Sequence, residues 1–217
     1  MNNLKKRILT SIIILPLSLF FMFKGGYFLL TFLLAIFLIG NYELFSVFNK
    51  KKIILSLDLL LILSLFSIFY LADHNEVSFY LLLWIIILVI CSDIGGYIFG
   101  TIFKWKKITK ISPNKTFSGV IGSFVFSLFS VFIANVIFFK DENFSIDFLE
   151  PKFFFLSIIF SLTAQIGDLT ISYFKRIEKI KDTGKILPGH GGIFDRIDGL
   201  MFVVILTFLF YKVNIIP

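Results

Sequence analysis

Residues 78–99 read SFYLLLWIIILVICSDIGGYIF, an uncharged run from Ser78 to Ser92 followed by a carboxylate at Asp93. A helix rises about 1.5 Å per residue, so a stretch of this length covers the roughly 30 Å of hydrocarbon in a bilayer. The run is apolar on every side and has no polar stripe with which to face water, so it reads as a membrane span. Working outward, six more apolar runs can be marked: Ile8 to Phe23, Tyr27 to Phe48, Ile53 to Leu71, Val120 to Phe139, Phe153 to Ile171 and Leu200 to Ile216. The first is short and holds Pro16. It lacks the small-residue cleavage pattern of a signal peptide and reads as a retained span. The expectation is an all-α polytopic membrane bundle of about seven transmembrane helices.

Composition agrees. The 217 residues are 58% hydrophobic and 16% charged, against about 45 to 50% and about 25% in soluble domains. A water-soluble core has no room for 31 Phe. The single Cys91 excludes a disulfide framework and a thiolate metal site. The net charge of +7 points first to topology and anionic headgroups; no basic run interleaved with exposed aromatics argues for nucleic acid.

Charge alternates between connections. Lys5, Lys6 and Arg7, then Lys50 to Lys52, then Lys104 to Lys115, then Lys175 to Arg196 occupy every second one, and together hold 17 of the 21 basic residues. The others carry Asp73 and Glu76, then Asp141, Glu142, Asp147 and Glu150. By the positive-inside rule the basic set is cytoplasmic and the N-terminus lies inside. The chain shows no repeat or linker, so residues 1–217 read as one integral membrane domain. Its parts are a scaffold (1–91), a chemical segment (92–199) and a last span (200–217).

The chemistry is expected between Asp168 and Asp198. Two of the three Arg in the chain, Arg176 and Arg196, are here, with His190 and the glycine turn Pro188-Gly189-His190-Gly191-Gly192. Arg presents a planar fork suited to phosphate, and glycines let backbone N–H groups approach an anion. If the sixth span continues as helix, Asp168, Ser172 and Lys175 share a face, and Asp195 and Asp198 share another. Carboxylates ringed by cations at a membrane surface suit a divalent metal bridging to phosphate oxygens. A second cluster comprises Asp93, costly in hydrocarbon, and the segment Ser112-Pro113-Asn114-Lys115-Thr116. Plainer readings stand beside these: Asp, Ser112 and Thr116 also serve as helix caps. Glu43 reads as a structural partner of Lys50 to Lys52, Asp58 as a snorkelling acid, Gln165 and Asn135 as interhelical hydrogen-bond partners, and His74 as solvated.

The string from Ser172 through Lys175-Arg176, Lys181-Asp182, Pro188-Gly189-His190-Gly191-Gly192 to Asp195-Arg196-Ile197-Asp198 resembles the signature of the phosphatidate cytidylyltransferases, the CDP-diacylglycerol synthases. Asp93-Ile94-Gly95-Gly96-Tyr97 is similar to the Asp-x-Gly-Ala-Tyr segment of that family, and Ser112 to Thr116 to its Ser-Pro-Lys-Lys-Thr segment. The resemblance runs from about Ser92 to Gly199. It implies cytidylyl transfer from CTP to phosphatidic acid, with Mg²⁺ required and a monovalent cation as a possible second ion. It also implies a bacterial inner-membrane enzyme with its site on the cytoplasmic face, and a homodimer as a candidate assembly. The family's metal ligands carry over to Asp168 and Asp195, with Asp198 as helper, and Asp93 is added to that set.

Lys175, Arg176, His190 and Arg196 are then expected around the reacting phosphates. Ser112, Lys115, Thr116, Ser172, Lys181, Gly191 and Gly192 are expected to bind them. The chain departs from the family in having Ser118 where a Glu is usual, and it is shorter toward its N-terminus than typical members. Two other functions compete with this one: a related membrane enzyme acting on another lipid phosphate or a polyprenol, and a transporter. Transport calls for acids near the midplane and pseudo-symmetric halves, neither of which the sequence shows.

Overall fold

The computed structural model describes residues 14, 16–109, 112, 115–138, 146–184, 186 and 191–217. Residues 16–24 are helical and lead into Gly25, whose φ of 61° begins the next helix. Six helices follow among the described residues: α1 (Gly26–Val47), α2 (Lys51–Asp73), α3 (Glu76–Phe103), α4 (Phe117–Phe138), α5 (Pro151–Ile177) and α6 (Phe194–Lys212). The protein is all-α. The first five helices are long and apolar enough to cross a membrane, and they coincide within a few residues with the runs read from sequence. This is an integral membrane protein.

The two remaining expected spans fare differently. Most of the run from Ile8 lies outside the described residues. The last helix begins at Phe194, not Leu200, and its first turns carry Asp195, Arg196 and Asp198. From Gly199 to Tyr211 the helix is apolar over only about 20 Å, less than a full hydrocarbon thickness.

Helix ends follow local chemistry. Asn75 and Ser78 form a reciprocal capping box at the start of α3, with the Ser78 N–H donating to Asn75 Oδ1 at 2.7 Å. Pro151 opens α5 at a position where its missing N–H costs nothing. The helix then runs 27 residues, about 40 Å, so its last turns reach beyond the hydrocarbon with Lys175 and Arg176 at the negative end of the dipole.

The chain runs up and down. On one side Lys50 N–H donates to Glu178 Oε1 at 3.0 Å, joining the α1–α2 and α5–α6 connections. On the other, Gly26 N–H meets Asp73 Oδ1 at 3.0 Å and Asn75 Nδ2 donates to Tyr211 Oη at 2.7 Å. His74 stacks on Tyr70 with ring centroids 4.6 Å apart, where solvation alone was expected. The core joins residues from all six of these helices, with Trp84 fully buried among Phe148, Phe153 and Phe160.

The most extensive helix pair is α3 with α4, and glycine is the reason. A Cβ on Gly95 would overlap the Gly122 carbonyl, and one on Gly122 would overlap that of Gly95. Small residues let backbones touch where lipid offers no hydrophobic drive. The asymmetry of α2 is less comfortable: Asp58 Oδ1 is buried with no hydrogen-bond partner.

Candidate active site

Five helix ends meet on the Lys50 side: the C-terminal ends of α3 and α5, the N-terminal ends of α4 and α6, and the C-terminal end of α1. Glycine again sets the spacing. A Cβ on Gly167 would stand 3.0 Å from the Asp198 carbonyl and 2.6 Å from the Phe202 ring, and one on Gly199 would stand 3.1 Å from the Ala164 carbonyl. The glycines just before Asp168 and just after Asp198 therefore let α5 and α6 cross closely, and the two carboxyl groups come near enough for each to act on the other's charge. Two carboxylates in such contact repel unless a proton or a cation sits between them.

Around this pair, Ser172 Oγ donates to Asp168 Oδ1 at 3.3 Å, one turn along α5. Lys115 Nζ lies 2.5 Å from Asp168 Oδ2 and donates to the Gln165 carbonyl at 3.2 Å. The Gln165 side chain stays within its own helix, on Ser161 at 3.4 Å, and does not bridge helices. Lys115 is held in place by backbone pairing: Ile108 N–H donates to the Lys115 carbonyl at 3.0 Å and Phe117 N–H to that of Lys106 at 3.1 Å. Thr116 caps α4 by accepting the Gly119 N–H at 3.1 Å, and its hydroxyl meets that of buried Ser118 at 3.0 Å. Ser112 does not cap; its N–H donates to Thr109 Oγ1. Asp93 is exposed on α3, near enough to Asp168, Lys115 and Arg196 to feel their charges.

Asp195 is seated apart from this group. Its Oδ1 accepts Lys175 Nζ at 2.7 Å. Its Oδ2 accepts the Thr183 N–H, the Thr183 hydroxyl and the Gly192 N–H, at 2.8, 3.0 and 3.1 Å. Asp195 and Asp198 occupy the same face at i, i+3, yet only Asp198 joins Asp168. Lys175, whose charge also acts on Asp168, gives its ammonium to Asp195. The two oxygens of Asp195 are thus filled by protein donors, and the carboxylates brought together are Asp168 and Asp198, with Asp93 nearby. Among the described residues no three His, Cys, Asp or Glu side chains close into a metal-holding group.

Arg176 donates to the Ile180 carbonyl at 3.0 Å, closing the end of α5. Arg196 is exposed in the first turn of α6. Lys181 lines a cleft of about 600 Å³ with Tyr42, Ser46 and Asp182, away from the carboxyl pair. Gly191 takes a φ of 90°, a conformation open to glycine, and Gly192 is buried. His190 lies outside the described residues.

One participant escaped sequence reasoning. Glu43, 1% exposed, does not pair with Lys50 to Lys52; its carboxylate accepts the Ile193 N–H at 2.9 and 2.8 Å and the Phe194 N–H at 3.4 Å. An acid late in α1 caps α6 from another helix. The only signal for it in the sequence was a carboxylate in an apolar run without an adjacent cation.

Comparison with known proteins gives the site a setting. Residues 51–214 match the model of the cytidylyltransferase family. A phosphatidate cytidylyltransferase of Rickettsia conorii is 32% identical over 219 residues, 96% of this chain and 91% of the relative. A phosphatidate cytidylyltransferase of Staphylococcus haemolyticus is 41% identical over 140 residues, 64% of this chain and 51% of the relative, and one of Staphylococcus saprophyticus is 40% identical over 136. The chain thus spans about half the length of the staphylococcal relatives and nearly all of the rickettsial one. On the family match and the rickettsial alignment together, the chain belongs to the cytidylyltransferase family.

Proposed function

We propose that the protein transfers a cytidylyl group from CTP to phosphatidic acid, releasing pyrophosphate and leaving CDP-diacylglycerol in the bilayer. The observation that carries this reading is the Asp168–Asp198 carboxyl pair at the water-facing end of a lipid-embedded bundle, with Lys115 and Ser172 against it. The name of the rickettsial relative supports the same substrates.

Mg²⁺ fits the donor set. This ion commonly uses one or two protein carboxylates and completes its shell with substrate phosphate oxygens and water. Asp168 and Asp198 would hold it, and it would lower the repulsion between the two phosphate groups. Asp93 faces the same space and would add negative charge behind it.

In the transfer, an oxygen of the phosphatidic acid phosphate forms a bond to the α-phosphorus of CTP while the bond to the α,β-bridging oxygen breaks. The electron pair leaves on pyrophosphate. The attacking phosphate is already ionised near neutral pH, so the protein needs no strong general base. Its work is to hold two anions in line. Lys115 is tethered by its backbone pairing and stands beside Asp168, where it can meet a phosphate oxygen. Arg196, exposed in the first turn of α6, screens the departing charge.

The excess of basic residues on this side supports a cytoplasmic site, and the bacterial relatives support the inner membrane as its location. The acyl chains then stay in lipid while the headgroup reaches the carboxyl pair. A homodimer is part of the proposal, to be read by mass measurement of the purified protein. The enzymatic reading is tested with membranes carrying Asp168→Asn or Asp198→Asn, assayed with labelled CTP and phosphatidic acid. Both should lose nearly all Mg²⁺-dependent product; a wild-type rate in either sinks the assignment. Exchange of phosphatidic acid for polyprenyl phosphate in the same assay, with greater turnover, would move the substrate to another lipid phosphate.

A further inference from the structure

We infer that Glu43 is a positioning residue of the active site, holding the Gly192–Asp195 turn so that the first turn of α6 meets α5. The inference rests on the cytidylyl-transfer reading above, and it extends the site beyond residues 51–214, the part that matches the family, into α1.

Three features converge on this carboxylate. It is 1% exposed, and a carboxylate is kept buried in a membrane protein only where donors satisfy it. The donors are the Ile193 and Phe194 N–H groups, the orphan amides of the α6 N-terminus, where the helix dipole also favours negative charge. The flanking loop is then built around it. A Cβ on Gly184 would stand 2.9 Å from Glu43 Oε1, and one on Gly192 would stand 2.6 Å from Oε2. Glycine at both places lets Gly184 and Gly192 close on the same side chain.

What the turn carries gives Glu43 its consequence. Gly192 N–H and both donors of Thr183 hold Asp195, Asp195 holds Lys175, and Asp198 follows one turn later against Asp168. Glu43 touches neither Asp198 nor Asp168. It acts through the Ile193 and Phe194 amides, which donate to it and to no other described acid, while the neighbouring Gly192 N–H goes to Asp195.

The experiment uses the full chain in nanodiscs, as wild type and as Glu43→Gln, with two readouts. Hydrogen exchange is measured in metal-free protein over peptides covering 192–198 and, as reference, over α2 and α4. Turnover is measured with CTP, phosphatidic acid and Mg²⁺. Gln keeps the shape but turns an NH₂ toward N–H donors, so exchange at 192–198 should quicken about tenfold or more, with the reference helices unchanged. The apparent Mg²⁺ requirement should rise about tenfold, while KM for CTP moves less than about threefold. Unchanged exchange at 192–198 overturns the inference, whatever the turnover. Faster exchange with wild-type Mg²⁺ dependence overturns it as well. If Glu43→Gln does not fold, Glu43→Asp, which keeps the charge but withdraws it by one methylene, must show the same local exchange pattern. A wild-type protein that makes no CDP-diacylglycerol would remove the enzymatic reading, while the exchange result would still decide whether Glu43 holds the turn.

Discussion

Lys175 Nζ stands 2.7 Å from Asp195 Oδ1, with the two side chains only 10% and 7% exposed. The pair ties the last turn of α5 to the first turn of α6, and its remaining oxygen is saturated by Thr183 and Gly192. Removing one partner from such a buried pair leaves an uncompensated charge. Lys175→Met is therefore expected to destabilise the protein by about 3 to 5 kcal/mol, read as a lowered Tm in detergent. Lys175→Met combined with Asp195→Leu should recover much of the loss, and strict additivity of the two single variants would contradict the pairing.

Asp195 and Asp198 should separate by phenotype although they lie three residues apart. Asp195→Asn should lower Tm, because it breaks the pair with Lys175 in the protein interior. Asp198→Asn should leave Tm near wild type, or raise it by relieving its contact with Asp168, while abolishing Mg²⁺-dependent turnover. Parallel melting and activity curves check this, and equal effects of both variants on both readouts would refute the division.

Gly167→Ala is expected to lose both stability and activity. The added methyl meets the Asp198 carbonyl and the Phe202 ring, and α5 and α6 must move apart, at about 1 to 3 kcal/mol for overpacking of this kind. Phe202→Leu in the same chain clears part of the clash, so a partial return of activity in the double variant is the outcome to look for.

Thr116→Ala removes the cap on α4 and should cost about 1 kcal/mol, whereas Thr116→Ser keeps the oxygen on the Gly119 N–H and should cost little. Since Lys115 is the neighbouring residue, KM for CTP should rise in the Ala variant more than in the Ser variant. Chemical denaturation and steady-state kinetics on both separate the two effects.

Much of the molecule was readable from residue order. Five spans were legible because burial in lipid demands some twenty apolar residues in a row, a requirement that leaves a mark in any window of the sequence. Asp168 and Ser172 were placed together because helical periodicity is local. Asp195 and Asp198 were likewise legible as one helix face, although the apolar run itself starts only at Leu200; the Glu43 cap on the first turn of α6 was not, because it comes from another helix.

What the sequence by itself determined is the medium, the rough limits of five apolar helices, and the short list of charged residues available for chemistry. Each of these follows from composition, length or spacing along a single helix. Which acids share a site was decided only by tertiary structure. Asp198 rather than Asp195 meets Asp168, and Glu43 reaches across 150 residues to the end of α6, because glycines at 95, 122, 167 and 199 fix how closely helices cross. A glycine announces that close approach is possible, but its partner is chosen by the packing of the whole bundle.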